Sequence, residues 1–163
     1  MGSQVIYRPP LSATQVSVII ATAQRPTGKL SMSADHENLV NGVETLIPLD
    51  TIPAGYTDGI ENVVTHRITP GVAGFYSIHG QARLFNTVAA KCYSAQLRVS
   101  GVVKDYFYAH AAASTFAVTV SCHFESFYLS AVNYLELWVM SDAGVDTVDV
   151  GKIGTYLEVQ KVR

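Results

Sequence analysis

The chain has 163 residues, enough for one domain or one domain with an arm and too few for two ordinary domains. Its apolar fraction of 48% suits a globular core, while its charged fraction of 15% lies well below the roughly 25% of average soluble domains. A net charge of -2 excludes the global positive field that draws nucleic acid or anionic lipid, so neither nucleic acid nor membrane is an expected partner, and a surface short of charge points to protein contacts.

In chain order, MGSQVIYRPP has no basic segment followed by a long apolar stretch, which predicts no signal peptide and a mature chain beginning at or near Met1. Gly2 lacks the Ser or Thr four residues on that N-myristoylation requires, because Ile6 stands there. The apolar run Val16 to Ala21 is far too short to span a membrane. Arg8-Pro9-Pro10 and Arg25-Pro26-Thr27-Gly28 bracket Gln15 to Ala23, whose Val and Ile content fits one short strand. Ser33 to Asn38 reads as a polar turn or a helix start, and Asn41-Gly42 is a strong turn signal.

That punctuation divides the chain into an arm, residues 1–41, and a domain, residues 42–163. The arm holds little apolar content for a core. It reads either as a poorly ordered tail or as a segment that orders on a partner or neighbouring subunit, with Val5, Ile6, Tyr7, Arg8, Val16, Val18 and Ile20 as its docking residues.

From Val43 onward turn signals recur at Pro53-Ala54-Gly55, Asp58-Gly59, Pro70-Gly71, Gly74, Ser100-Gly101, Ala143-Gly144 and Gly151 to Gly154, which predicts short strands between them. Gly74 to Phe85 alternates most clearly. Tyr76, Ile78, Gly80, Ala82 and Leu84 share one face, and Phe75, Ser77, His79, Gln81, Arg83 and Phe85 the other. Tyr134 to Met140 alternates too, with Leu135, Leu137 and Val139 opposite Tyr134, Glu136, Trp138 and Met140. Large apolar groups on both faces imply that some outer faces are covered by another subunit. No segment carries a sustained helical stripe, so the fold class is all-β, a sandwich, jelly roll or barrel of about eight strands.

Chemistry-bearing patterns are missing. His36, His66, His79, His110 and His123 form neither His-x-His nor a helical zinc spacing. There is no G-x-S-x-G elbow and no phosphate-cradling glycine loop, and Glu125 and Glu136 fall in different strands with nothing to hold them at a glycosidase separation. The expectation is therefore no enzyme, no cofactor and no metal, with the loop aspartates Asp142, Asp146 and Asp149 as a weak calcium candidate. Cys92 and Cys122 are too few for a disulfide framework and are expected to be free, buried thiols.

The run Arg67-Ile68-Thr69-Pro70-Gly71-Val72-Ala73-Gly74-Phe75-Tyr76-Ser77-Ile78 resembles the "tapvaGvYyf" opening strand of the C1q/TNF-like jelly roll. In the expected order follow Gln96 to Gly101 as a strand ending in a tight turn, Leu129 to Leu137 in outline of "L-x-x-G-D-x-V-x-L", and Ile153 to Val159 in place of the closing "F-x-G-x-x-L". The resemblance covers about Thr45 to Val162. It departs from the family at Val132-Asn133, where a Gly-Asp pair is usual, at Ile153 and Tyr156, where the family has Phe, and in having no collagen-like repeat before the domain.

The resemblance implies an antiparallel jelly-roll β-sandwich with an N-terminal extended arm, assembled as a tight homotrimer. Its implied interface residues are Phe75, Ser77 and His79 with Tyr156, or alternatively Tyr134 and Trp138. Similar domains occur in bacteriophage virions, which fits an arm that docks a trimer onto a capsid or tail surface. The functional expectation is a non-enzymatic capsid decoration or head-fibre protein, made in the host cytoplasm and resident in the virion, with the major capsid protein or another virion protein as partner. The alternatives are a receptor-binding tip touching a host glycan or protein through Tyr106, Phe107 and Tyr108, and a C1q/TNF-like binding protein.

Overall fold

The computed structural model describes residues 26–56, 58–111, 117–144 and 148–162. Among these residues all regular structure is strand: β1 (Thr27–Ser31), β2 (His36–Leu39), β3 (Thr45–Leu46), β4 (Glu61–Asn62), β5 (Arg67–Ile68), β6 (Gly74–Phe85), β7 (Cys92–Val99), β8 (Val102–His110), β9 (Val118–Leu129), β10 (Leu135–Ser141) and β11 (Val148–Lys161). The first sheet runs β1-β11-β6-β9, with β2 also on β11; the second runs β4-β5-β10-β7-β8, with β3 also on β10. Every pairing between named strands is antiparallel. This is the jelly-roll sandwich that the resemblance implied, one of the all-β architectures that the strand punctuation left open.

The alternation of β6 is the one read from sequence: Tyr76, Ile78, Ala82 and Leu84 are fully buried, and the residues between them half-buried on the outer face. Leu135, Leu137 and Val139 of β10, Tyr93, Ala95 and Leu97 of β7, and Leu157 and Val159 of β11 complete the core between the sheets. Apolar residues at every second position bury together because a strand turns successive side chains to opposite faces. The two largest buried side chains also carry hydroxyls, and both are satisfied: Tyr76 donates to the Val72 carbonyl at 2.5 Å, and the Tyr93 oxygen accepts from the Val88 N–H at 2.6 Å.

Two local devices fix the register. Ser100 and Gly101 form the two-residue link between β7 and β8 with positive φ at both, 51° and 78°, the combination that matches the twist of the flanking strands. In β9, Glu125 and Ser126 together oppose Ser77 of β6, a bulge that turns both Phe124 and Phe127 toward the core with their rings 5.0 Å apart and sends Tyr128 to the outside.

The structure corrects two readings. Residues 27–39, assigned to the arm, belong to the sandwich: β1 pairs with β11 from Thr27↔Gln160 to Ser31↔Tyr156, and Leu30, Met32 and Leu39 are buried in the common core. The apolar content of this stretch is thin, yet three well-spaced side chains suffice once a neighbouring strand supplies the other half of the contact. Within Ser33 to Asn38, taken for a polar turn or helix start, His36 opens strand β2, with the Asp149 carboxylate accepting the Asn38 N–H at 2.9 Å. Arm residues Val5, Ile6, Tyr7, Arg8, Val16, Val18 and Ile20 lie outside the described residues.

Both cysteines are free. Cys122 is buried as expected, whereas Cys92 is only half-buried. Burial pushes the Cys122 thiol up to about 12, with the charge of Asp105 adding to the effect. An aromatic disulfide reagent should therefore label Cys92 in the native protein and reach Cys122 only on unfolding; equal labelling rates would contradict the packing of β9 against β6.

Gly80 leaves no room for a side chain: a Cβ there would lie 2.7 Å from the Cys122 sulfur and 3.1 Å from Leu137 Cδ1. Gly80→Ala is expected to cost about 1–3 kcal/mol through overpacking. The measurement is the urea midpoint, which should fall with an unchanged slope.

Candidate functional site

The outer face of the first sheet is built from register alone. Lys29 of β1 opposes Glu158 of β11, Glu158 opposes His79 of β6, and His79 opposes His123 of β9, so four strands contribute one continuous ionisable row. Directly opposed residues on antiparallel strands point to the same face with Cβ atoms about 4.5–5.5 Å apart, which makes such a row an interacting unit. Lys29 Nζ donates to Glu158 Oε2 at 2.9 Å, and the Tyr56 hydroxyl donates to Glu158 Oε1 at 2.7 Å. The Tyr156 hydroxyl and His79 Nδ1 are 3.1 Å apart, and the His79 ring meets those of Tyr156 and His123 edge-on at 5.2 and 5.6 Å. Lys29 Nζ also lies 4.1 Å from the Tyr156 ring centroid.

These contacts shift the groups involved. Burial, then the neighbouring His123, holds His79 below the usual imidazole value. Burial alone would raise the Glu158 carboxyl, but the hydrogen bonds from Lys29 and Tyr56 outweigh it and carry the group down. The hydrogen bond to Glu158, followed by burial, pushes Tyr56 up to about 12. Next along the sheet, Phe75 and Tyr128 pack edge-on at 5.5 Å, with Tyr128 56% exposed.

The structure thus brings Phe75, Ser77, His79 and Tyr156 together on one face and places Tyr134 and Trp138 with the other sheet. There the chain covers them itself. The Arg98 guanidinium lies 4.0 Å over the Trp138 ring and also pairs with Glu44, and the Arg67 guanidinium lies 4.0 Å over Tyr134 while its Nε donates to Glu136 at 2.8 Å. Trp138 Nε1 donates to the other Glu136 oxygen at 3.3 Å. The two interface candidates that sequence left as alternatives therefore sit on opposite layers, Tyr134 and Trp138 capped by arginines and Phe75, Ser77, His79 and Tyr156 half-buried on the first sheet.

The remaining candidates disperse. Asp149 accepts from the Asn38 N–H at 2.9 Å and from the Asn86 side-chain amide at 2.7 Å, and Asp146 lies outside the described residues. Among the described residues no group of three or more His, Cys, Asp or Glu is arranged to hold a metal ion. Tyr106 and Tyr108 project from β8 on the outer face of the second sheet, stacked at 6.0 Å with rings 5° from parallel and 45% and 59% exposed. Phe107, 37% exposed, pairs in register with core-facing Ala95 and so points to the other side of that edge strand.

Sequence reasoning missed His123, Tyr128, Lys29 and Tyr56 as members of the face. Ser121 and His123 do alternate with buried Val120 and Cys122, but the bulge at Glu125-Ser126 breaks that pattern before it reaches Tyr128.

No family model matches the chain, and no curated protein matches it in sequence. Solved structures do resemble it. The Eiger TNF of S. frugiperda superposes with a TM-score of 0.62 at 8% identity, over 85% of this chain and 93% of that one. The globular domain of zebrafish complement 1qA gives 0.60 at 10% identity, over 86% and 98%. Murine APRIL at pH 5.0 gives 0.60 at 10% identity, over 85% and 100%. The fold is that of TNF- and C1q-like jelly-roll domains, and at these identities the likeness is one of fold alone.

Because the hydrogen bond to Glu158 pushes Tyr56 up to about 12, the stability it contributes is fully present below pH about 10 and is lost as pH rises from there through about 12. Tyr56→Phe should remove that alkaline dependence. Absorbance titration of tyrosinate, wild type against variant, checks it.

Proposed function

We propose that the chain is a non-enzymatic structural or binding protein that associates with itself as a homotrimer through the outer face of the first sheet. The observation that supports this most directly is the face itself, which carries the edge-on pair Phe75–Tyr128, with Tyr128 56% exposed, and further along it the His79 ring edge-on to Tyr156 and to the exposed His123. Burying such rings is favourable, and aromatic groups dominate protein interfaces for that reason. On the opposite layer the two outward aromatics Tyr134 and Trp138 lie beneath Arg67 and Arg98.

In its finer form the reading is a trimeric capsid decoration or head-fibre protein. Residues 1–25 act as tethers to the major capsid protein or another virion protein. Low surface charge suits dense packing on a lattice. Three tethers on one rigid body give high effective concentration, so modest single contacts become durable attachment. Production in the host cytoplasm and residence in the virion belong to this same reading.

A second reading, recognition of a host glycan or protein, draws on the stacked, exposed Tyr106 and Tyr108, an aromatic surface suited to sugar faces. A C1q/TNF-like binding protein fits the fold equally. The two uses separate experimentally: a decoration protein binds shells that lack it, and a receptor binder binds cells or glycans in isolation.

Light scattering on the full chain and on a chain lacking residues 1–25 is expected to report three chains for both. Tyr128→Arg should weaken the association about tenfold or more, the effect of losing one central contact of ~1.4 kcal/mol. A single-chain mass for both proteins would overturn the proposal.

A further inference from the structure

We propose that the row Lys29–Glu158–His79–His123 makes the self-association acid-labile, so that a neutral assembly loosens when the two imidazoles take up protons; this rests on the self-association reading above. The geometry carries the inference. Without charge on the imidazoles, the row holds one cation and one anion in direct contact, Lys29 and Glu158 at 2.9 Å. Both Glu158 oxygens are already engaged, one by Lys29 and one by the Tyr56 hydroxyl. Protonation of His79 and His123 would then add two positive charges 5.6 Å apart beside a lysine, with a single carboxylate to offset all three.

The groups facing the pair are Lys29 on β1, Tyr156 and Glu158 on β11, and Tyr56 in the β3–β4 connection. On β6 itself the flanking outward residues, Ser77 and Gln81, are neutral, and the next ionisable residues along the two histidine strands are Arg83 and Glu125. Covering the face with a second copy removes water that would otherwise solvate the added charges. The assembled state therefore binds fewer protons than the separated chains, and association weakens as pH falls below the ordinary histidine value of about 6.5. The depressed titration of His79 within one chain already has this sign.

The test is the mass of the full chain by light scattering over a dilution series, near pH 7.5 and near pH 5.5, for wild type, His123→Gln and the double variant His79→Gln/His123→Gln. Because His123 is exposed, its single variant preserves a reading if the double variant folds poorly. Acid is expected to raise the dissociation midpoint of wild type by about tenfold or more, one pKa unit being a factor of ten. His123→Gln should reduce that shift, and the double variant should nearly abolish it. Wild type that stays assembled at the lower pH overturns the proposal and leaves the self-association intact. A double variant that dissociates in acid as wild type does also overturns it, because carboxylates would then be the titrating groups. A single chain at both pH values overturns the self-association reading itself.

Discussion

The antiparallel pairing of β11 with β1, β2 and β6 is the constraint on which the remainder of the structure depends. It joins the beginning of the described chain to its end, with Lys29 bonded to Glu158 across 129 positions. Closing so long a loop costs entropy that grows only slowly with length, and the ladder and the burial of Leu30, Leu157 and Val159 repay it. Among the described strands, without β11 in place β1 and β2 have no partner in the first sheet and β6 keeps only β9.

The same pairing sets the chemistry of the outer face. Once β11 is registered against β1 on one side and β6 on the other, Glu158 must stand between Lys29 and His79, and the pairing of β6 with β9 then fixes His123 as the fourth member. None of these residues is a neighbour of another in sequence. Their mutual influence, seen in the lowered His79 and Glu158 and the raised Tyr56, exists only in the assembled sheet. The two layers differ in kind as a result. On the second sheet Arg98 lies over Trp138 and Arg67 over Tyr134, while on the first the half-buried His79 ring meets Tyr156 and the exposed His123 edge-on.

Much of the sandwich was legible in advance because strand alternation is local. Tyr76, Ile78, Ala82 and Leu84, and likewise Leu135, Leu137 and Val139, announce a buried face by spacing alone, and Ser100-Gly101 announces its turn by composition. The strands β1 and β2 were not legible, since Thr27 to Leu39 is too polar to advertise burial and earns its place only by pairing with β11. Tyr128 was hidden by the bulge, where a two-against-one count shifts the alternation by one residue. Tyr134 and Trp138 looked equivalent to Phe75 and His79 as outward aromatics. Which of them an arginine covers depends on strand order, which alternation does not encode.

By itself the sequence determined an all-β class, the inward and outward faces of strands β6 and β10, a low charge content and the lack of any recognisable catalytic pattern, because each of these follows from composition or from periodicity within a single segment. The tertiary structure alone decided that Thr27 to Leu39 belongs to the sandwich, that Phe75, His79 and Tyr156 share a layer with Lys29, Glu158, His123 and Tyr128, and that Cys92 lies only half-buried. The physical reason is that these properties belong to pairs of residues far apart in the chain. Such pairs acquire a relation only when register and strand order are set, and both are set by the collective burial of a core to which every strand contributes.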